Sequence, residues 1–303
     1  MQEQEEKVTY EKFERERVDS YLASIYTEYS RSYFQKLTDK QKVFVNNKHV
    51  LASYKLKKGD IVSFEFDNEK KLQIEPEKIK LDIIYEDDDI ILVNKQHGIV
   101  VHPSYGHPKG TLLNALMARS KGKYNPYLVH RLDKDTSGLI IFAKNEKSKI
   151  SISKQLYKRA VKKIYLAIVK WTIVENKGII KAPLSRSPQN RKLMSVNPLA
   201  KKMAISEFKV LARRDGYTLV EVRIITGRTH QIRSHMKYIN HPVVGDQQYG
   251  GSEVSIDGEK YNRQMLHAYH VTFTHPRTSR TVEFEAELPN DMRKIFKNIE
   301  LKS

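Results

Sequence analysis

Apolar positions along this chain follow two periods. Val18, Tyr21, Leu22 and Ile25 recur at steps of three and four, one face of a helix. A second helix is expected over Arg31–Leu37, capped by Ser30, with Tyr33, Phe34 and Leu37 inward. Val43–Val45 and Ile61–Phe66 have strand character, with a turn at Asn46-Asn47 between them and Lys58-Gly59-Asp60 leading into the second. Ile83–Tyr85 and Ile90–Val93 flank four consecutive acids and predict a hairpin with an acidic tip. Leu112, Leu113 and Leu116 begin a further helix, and Ser148–Arg159 has helical character. Leu139–Phe142 is an apolar, β-branched run that predicts a buried strand, and Ile164–Val169 predicts another. Leu219–Ile225 alternates Val220, Val222 and Ile224 with Glu221 and Arg223, a half-buried strand. Ile232, Met236 and Ile239 repeat at helical spacing and set Arg233 one step off the buried face. Two terminal strands are expected at Phe273–Pro276 and Val282–Leu288. Alternating strands outnumber purely apolar ones, which fits antiparallel pairing and an α+β fold.

This pattern divides the chain. Residues 1–16 carry six glutamates and no apolar period, and are expected to be a flexible tail. Residues 17–66 form a small helix–helix–strand unit, 67–80 a charged linker, and 81–303 a larger domain with a mixed, mainly antiparallel sheet. A length of 303 residues is ample for two such cores. The 54 Lys and Arg against 36 Asp and Glu leave a charge of +18, which favours a polyanionic partner, nucleic acid ahead of a membrane surface. No apolar window is long enough to cross a bilayer, and the Glu-rich start is unlike a signal or transit peptide. The absence of cysteine excludes disulfides and thiolate chemistry and fits a reducing, cytoplasmic setting.

Candidate chemistry concentrates at Leu128–Asn145, L-V-H-R-L-D-K-D-T-S-G-L-I-I-F-A-K-N. A histidine, an arginine and two aspartates there precede the buried strand, so they lie on a loop held against a sheet. Taken alone, Asp133, Asp135, Ser137 and Gly138 are also what a simple turn needs. The nine residues H-R-L-D-K-D-T-S-G resemble the signature of the RluA-type pseudouridine synthases. N-K-Q-H-G-I-V-V-H-P (94–103) resembles that family's first motif, with Gln96 in place of the usual proline. G-R-T-H-Q-I-R-S-H (227–235), H-P-V-V-G-D (241–246) and L-H-A (266–268) continue the likeness, which spans about 80–290. Residues 17–66 resemble the RNA-binding domain named after ribosomal protein S-four, through R-V-D-S-Y-L, S-R-S, V-F-V-N-N-K and L-K-K-G-D-I-V.

These resemblances imply roles. Asp133 matches the catalytic aspartate, Tyr165 of K-K-x-Y the active-site tyrosine, and Arg233 the arginine that pairs with the aspartate. Arg31, Lys36 and Lys40 fall where the small domain faces RNA. Arg186, Arg191 and Lys192 sit in a basic hairpin or loop, within Leu184–Phe208, like one that covers substrate in the family. His130 and Arg131 open H-R-L-D-K-D-T-S-G, Arg228 lies in G-R-T-H-Q-I-R-S-H, and all three join the RNA-binding set. Isomerising uridine breaks the N-glycosidic bond, turns the base and joins C5 to the sugar. It needs no cofactor or metal, only a charged carboxylate at the sugar, a cation to hold it and a flat group for the base. The partner implied is structured RNA, ribosomal ahead of transfer RNA, met by a monomer. Zinc is disfavoured: His230 and His235 lack the Glu of H-E-x-x-H, and His267 and His270, if on one helix face, lack a third ligand. No dinucleotide or phosphate-binding glycine loop is present. Asp133 with Asp135 as a glycosidase pair is disfavoured, because two positions on one loop do not flank a sugar. A non-catalytic RNA binder and a basic membrane-surface protein are the competing readings.

Overall fold

The computed structural model describes residues 5–11, 13–26, 29, 31–66, 74–103 and 109–296. The chain divides into two compact units, residues 1–73 and 74–303.

The first unit contains β1 (Glu5–Thr9), α1 (Val18–Ile25), α2 (Arg31–Asp39), β2 (Val43–Val45), β3 (Lys48–His49) and β4 (Ile61–Glu65). Its sheet runs β1-β4-β2-β3. The expected helices and strands form, and Val18, Tyr21, Leu22, Phe34 and Leu37 are buried in one cluster. Asn46 and Asn47 both have positive φ, the geometry of a tight hairpin turn. Ile25, expected inside, is the last residue of α1 and is 42% exposed. Tyr33 is half-buried and stacks on Tyr29 at 4.6 Å. Ser30, expected as a cap, lies outside the described residues. The expected flexible tail is corrected: Glu5–Thr9 pairs antiparallel with β4, from Glu5 opposite Glu65 to Thr9 opposite Ile61. Edge pairing uses backbone groups and leaves polar side chains in water, so it has little apolar signature. Tyr10, fully buried, anchors the strand's end.

The second unit follows with β5 (Ile83–Glu86), β6 (Ile90–Lys95), α3 (Leu112–Ser120), β7 (Tyr127–Leu128), β8 (Ser137–Ala143), α4 (Glu146–Tyr157), β9 (Lys162–Lys170), β10 (Lys177–Lys181), β11 (Leu184–Arg186) and β12 (Met194–Val196). Next come β13 (Ile205–Arg214), β14 (Tyr217–Ile224), α5 (Gln231–Tyr238), β15 (Val254–Ile256), β16 (Glu259–Tyr261), β17 (Leu266–Thr274), β18 (Thr281–Glu285) and α6 (Asn290–Ile295). A ten-stranded sheet runs β10-β13-β14-β9-β17-β8-β6-β5, with β18 on β17 and β7 on β8. Every pairing is antiparallel except β17 with β8. This is the mixed, mainly antiparallel sheet that the alternating pattern predicted. The half of the expected linker that is described, 74–80, is held to the second unit: Ile74 packs on its core and Asn114 Nδ2 donates to the Glu75 carbonyl at 2.8 Å. Charged side chains concealed that backbone anchoring. His267 and His270 lie on strand β17, not on a helix face.

Strand β8 is buried throughout, with Ile140 and Phe142 in one apolar cluster and Leu139 and Ile141 in another. Burial on both faces explains its unbroken apolar run. Gly138, at φ +107°, lies so close to β17 that a Cβ there would overlap the Ala268 carbonyl. Lys95, at the end of β6, is 1% exposed and donates from Nζ to three carbonyls: Gln96 at 2.9 Å, Ile99 at 3.0 Å and Lys134 at 2.8 Å. Burial pushes its pKa down to about 7, against the pull of Asp135 and Asp133. Three acceptors nonetheless engage all three N–H bonds of an ammonium. The loop after Leu132 is thereby tied to β6. On β17, His267 Nδ1 meets Ser137 Oγ at 2.9 Å and Nε2 meets the Ala286 carbonyl at 3.2 Å.

Two outcomes follow from these buried groups. Lys95→Met strands three inward carbonyls, which should cost at least about 2 kcal/mol and lower the second unit's melting temperature by roughly 5 °C or more, read by calorimetry. Burial holds the His267 pKa down at about 4. The folded state therefore binds fewer protons than the unfolded state between about pH 6.5 and pH 4, so stability is lost as pH falls through that window. His267→Gln should shrink the drop in urea midpoint between pH 7 and pH 4.5; an unchanged drop would refute the assignment.

Candidate active site

Asp133 sits on the loop joining β7 to β8. Leu132 before it is buried in the core, and the Thr136 N–H donates back to the Asp133 carbonyl at 3.2 Å. Lys95 holds the Lys134 carbonyl, and Arg263 Nη1 reaches the Asp135 carbonyl at 3.3 Å while its Nε binds Asp291 at 2.6 Å. The apolar Leu132 points in and the loop is pinned on both sides. The Asp133 carboxylate consequently projects into a cleft of about 530 Å³. Strands β9 and β14 floor the cleft through Lys163, Tyr165 and Ile224, and residues 226–233 form the far wall.

Arg233, on α5, donates from Nη1 to Asp133 Oδ2 at 3.0 Å. Its Nε and Nη2 take Asp246 at 2.6 and 2.9 Å, and Nη2 also takes Gln248 Oε1 at 2.9 Å. The sequence set Arg233 beside the buried face; it is itself buried, because Asp246 draws the guanidinium inward. Burial works against the charge, but Asp246 and Asp133 outweigh it and raise the pKa above the ordinary arginine value. Tyr249 lies under the guanidinium, 4.8 Å from ring centroid to carbon. Burial, and secondarily Asp133, hold the Tyr165 phenol above its usual pKa, so the hydroxyl stays neutral. Asp133 is the one carboxylate among the described residues lining the cleft. It faces a hydrophobic floor, a neutral phenol and an ion-paired guanidinium. Such a set can attack or deprotonate a sugar, with the base held flat beside the tyrosine.

Of the other expected site residues, His130, Arg131 and Arg228 also line the cleft. His130 Nε2 accepts the Ile141 N–H at 3.0 Å, and burial pushes its pKa down to about 3, so its ring is a neutral brace for β8. Arg131 is exposed. Arg186 lies on the β11–β12 hairpin, exposed with Arg191 and Lys192; its Nη1 donates to the Arg191 carbonyl at 2.5 Å. In the first unit Arg31 pairs with buried Asp19 at 3.0 Å, and Lys36 and Lys40 are exposed on and just beyond α2. Sequence reasoning missed Lys163, His230, Asp246, Gln248 and Tyr249. Lys163 falls two positions before Tyr165 on β9, which a period-2 reading places on the same face. The others needed the fold, since nothing local ties Asp246 to Arg233.

Among the described residues, Asp87, Asp89 and His275 could bring three ligand atoms within 4.8 Å. Their atoms are already engaged. Asp87 accepts the Asp89 and Ile90 N–H groups and meets His275 at 2.8 Å, and Asp89 accepts from Asn145 and Ser148 and pairs with Arg277 at 2.5 Å. The cluster closes the β5–β6 hairpin.

Comparison with known proteins bears on the family and the fold. Residues 89–238 match the RNA pseudouridylate synthase family and residues 16–62 the S4 domain. The chain is 43% identical to the uncharacterized RNA pseudouridine synthase YlyB of Bacillus subtilis, over 94% of each chain. It is 39% identical to the ribosomal large subunit pseudouridine synthase D of Neisseria meningitidis serogroup B, over 95% of this chain and 79% of the relative. The structure of human RNA pseudouridylate synthase domain containing 1 superposes with a TM-score of 0.59 at 28% identity, covering 71% of this chain and 86% of the other. With motifs, sheet and relatives in agreement, the chain belongs to the RluA-type RNA pseudouridine synthases and carries an N-terminal S4 domain.

Proposed function

We propose that this protein converts uridine to pseudouridine in large-subunit ribosomal RNA, with Asp133 as the group that acts at the glycosidic bond. The observation that carries this reading is the 3.0 Å pair between Asp133 and Arg233 at the mouth of a cleft floored by Tyr165. The guanidinium favours the charged carboxylate, which then serves as nucleophile at the sugar or as base for a sugar proton. Tyr165 stacks on the freed base while it turns. The product keeps every atom of uridine: N1 gains a proton and C5 loses one.

Ribosomal RNA is favoured by the names of the relatives and by the S4 domain. The two units divide the work: the first binds RNA through Arg31, Lys36 and Lys40, and the second, which begins at Ile74, carries the chemistry. Around the cleft, Arg131, Arg228 and the hairpin residues Arg186, Arg191 and Lys192 hold the strand from which the target nucleotide is swung out. Unstacking that nucleotide costs a few kcal/mol, offset by cation–phosphate contacts. Among the described residues no helix is long and apolar enough to cross a membrane.

On an unmodified large-subunit ribosomal RNA transcript, the protein should create carbodiimide-dependent primer-extension stops. Asp133→Asn should lower the rate by roughly 10²–10⁴-fold or more while RNA affinity in a gel shift stays within about twofold. A fully active Asp133→Asn, or no stop with the wild type, would leave a non-catalytic RNA binder. Arg233→Lys keeps the charge but cannot span Asp133 and Asp246 together. It should lower kcat by about 10²-fold with little change in KM, measured by tritium release from 5-tritiated uridine in the same transcript.

A further inference from the structure

His230 is the group nearest Asp133 to which neither the motifs nor the reaction scheme gives a task. Its Nε2 lies 3.8 Å from Asp133 Oδ2, on the same oxygen that Arg233 holds. The residue caps α5 at φ +52°, a left-handed conformation that a non-glycine side chain adopts only where its surroundings hold it. The holding group is Tyr249, whose hydroxyl is 2.8 Å from His230 Nδ1 and whose ring stands edge-on to the imidazole at 5.6 Å.

The direction of that hydrogen bond decides what His230 offers Asp133. The Met194 N–H donates to the Tyr249 hydroxyl oxygen at 2.8 Å. With that oxygen already accepting, its own O–H is free to point at Nδ1. When it does, Nδ1 is the acceptor and the ring's proton sits on Nε2, toward the carboxylate; the oxygen's second lone pair and the neighbouring Ser234 hydroxyl leave the reverse direction open, so the carboxylate has to decide. The opposite tautomer would aim a nitrogen lone pair at a carboxylate, so electrostatics selects the same state. Burial favours the neutral ring, while Asp133 pulls the other way.

We propose that His230 is a positioning residue for Asp133, with its Nε2–H turned to Asp133 Oδ2 by Tyr249, which is in turn anchored on the Met194 N–H of the basic hairpin. Ser234 fastens the same hairpin residue from α5, its Oγ donating to the Met194 carbonyl at 3.0 Å. Arg233 and His230 thus approach one carboxylate oxygen from two sides, and the second approach depends on the hairpin that bears Arg186, Arg191 and Lys192. At 3.8 Å the two groups stand just beyond hydrogen-bond distance, and catalytic contacts of this kind often tighten only in the Michaelis complex. The proposal rests on the reading of Asp133 as the catalytic group.

The test has one arm that does not use activity. Nitrogen-15 NMR of histidine-labelled wild-type protein should show His230 as the Nε2–H tautomer, assigned by loss of its signals in His230→Gln; a proton on Nδ1 overturns the proposal. In tritium-release assays on the large-subunit transcript, Tyr249→Phe keeps the ring under Arg233 but removes the hydroxyl. It should lower kcat by roughly 10-fold, by loosening the hydrogen bond that His230 offers the charged carboxylate, with KM within about twofold. His230→Gln, whose amide N–H can replace Nε2–H, should retain several-fold more activity than His230→Ala. Equal losses in the two histidine variants, or a wild-type kcat in Tyr249→Phe, sink the positioning role. Activity persisting in Asp133→Asn sinks instead the reading beneath it.

Discussion

A buried guanidinium held by two carboxylates is the contact on which this site depends. Arg233 cannot shed its proton, so its charge must be matched where it lies. Asp246, 1% exposed, takes the two-pronged grip at 2.6 and 2.9 Å, which leaves Nη1 as the arm for Asp133. The division of labour follows from geometry. Asp246 and Gln248 fix the fork, and the fork fixes Asp133. Removing Asp246 would leave the cation free to take Asp133 in a bidentate grip and draw it away from the cleft. Asp246 thus keeps the Asp133 carboxylate available to the cleft. Gly245, at φ +74° and too close to the Arg263 carbonyl to carry a Cβ, is what lets the chain turn to present Asp246.

The sheet supplies the other half of the arrangement. Asp133 and Arg233 are one hundred positions apart in sequence, and the loop that carries Asp133 must stop at one place. Two devices stop it. Lys95 binds the carbonyl of Lys134 from one side, and Gly138 brings β8 against β17 in the sheet's single parallel pairing from the other. Buried Leu132, Thr136 and Gly138 let the loop descend into the core, while Lys134 between them is exposed and Asp133 turns into the cleft. Rigid support of this kind is what lets a loop hold a reacting group to within a fraction of an ångström.

How much of this was legible depended on how local the signal was. The Asp133 loop, the strand after it and the helix of Arg233 were readable because each is contiguous: an apolar run, a helical period and dense polar motifs. Their meeting was expected from the resemblance alone, because periodicity says nothing about which loop faces which helix. Asp246 and Tyr249 were invisible, since their partners are brought to them only by the folded chain. Lys95 was invisible for a different reason: a lysine reads as surface, and only the count of inward carbonyls explains its burial. Strand β1 was missed because edge pairing is written in backbone groups. His267 and His270 were given a helical spacing that a strand does not have.

The electrostatics favour an anion in the cleft. Its single lining carboxylate, Asp133, is already paired, while Arg131, Lys163, Arg159 and Arg228 line the same space. Lys163 is the most telling of these. Burial lowers its pKa, and no acidic neighbour offsets that pressure. A cation kept in such a position is at a disadvantage in the free protein and gains when an anion arrives. Phosphates of a nucleic-acid strand supply that anion, and uracil itself carries carbonyl oxygens that accept from an ammonium. The excess of positive charge over the whole chain, +18, favours a polyanionic partner such as RNA, and the cations lining the cleft carry that charge up to Asp133 and Tyr165.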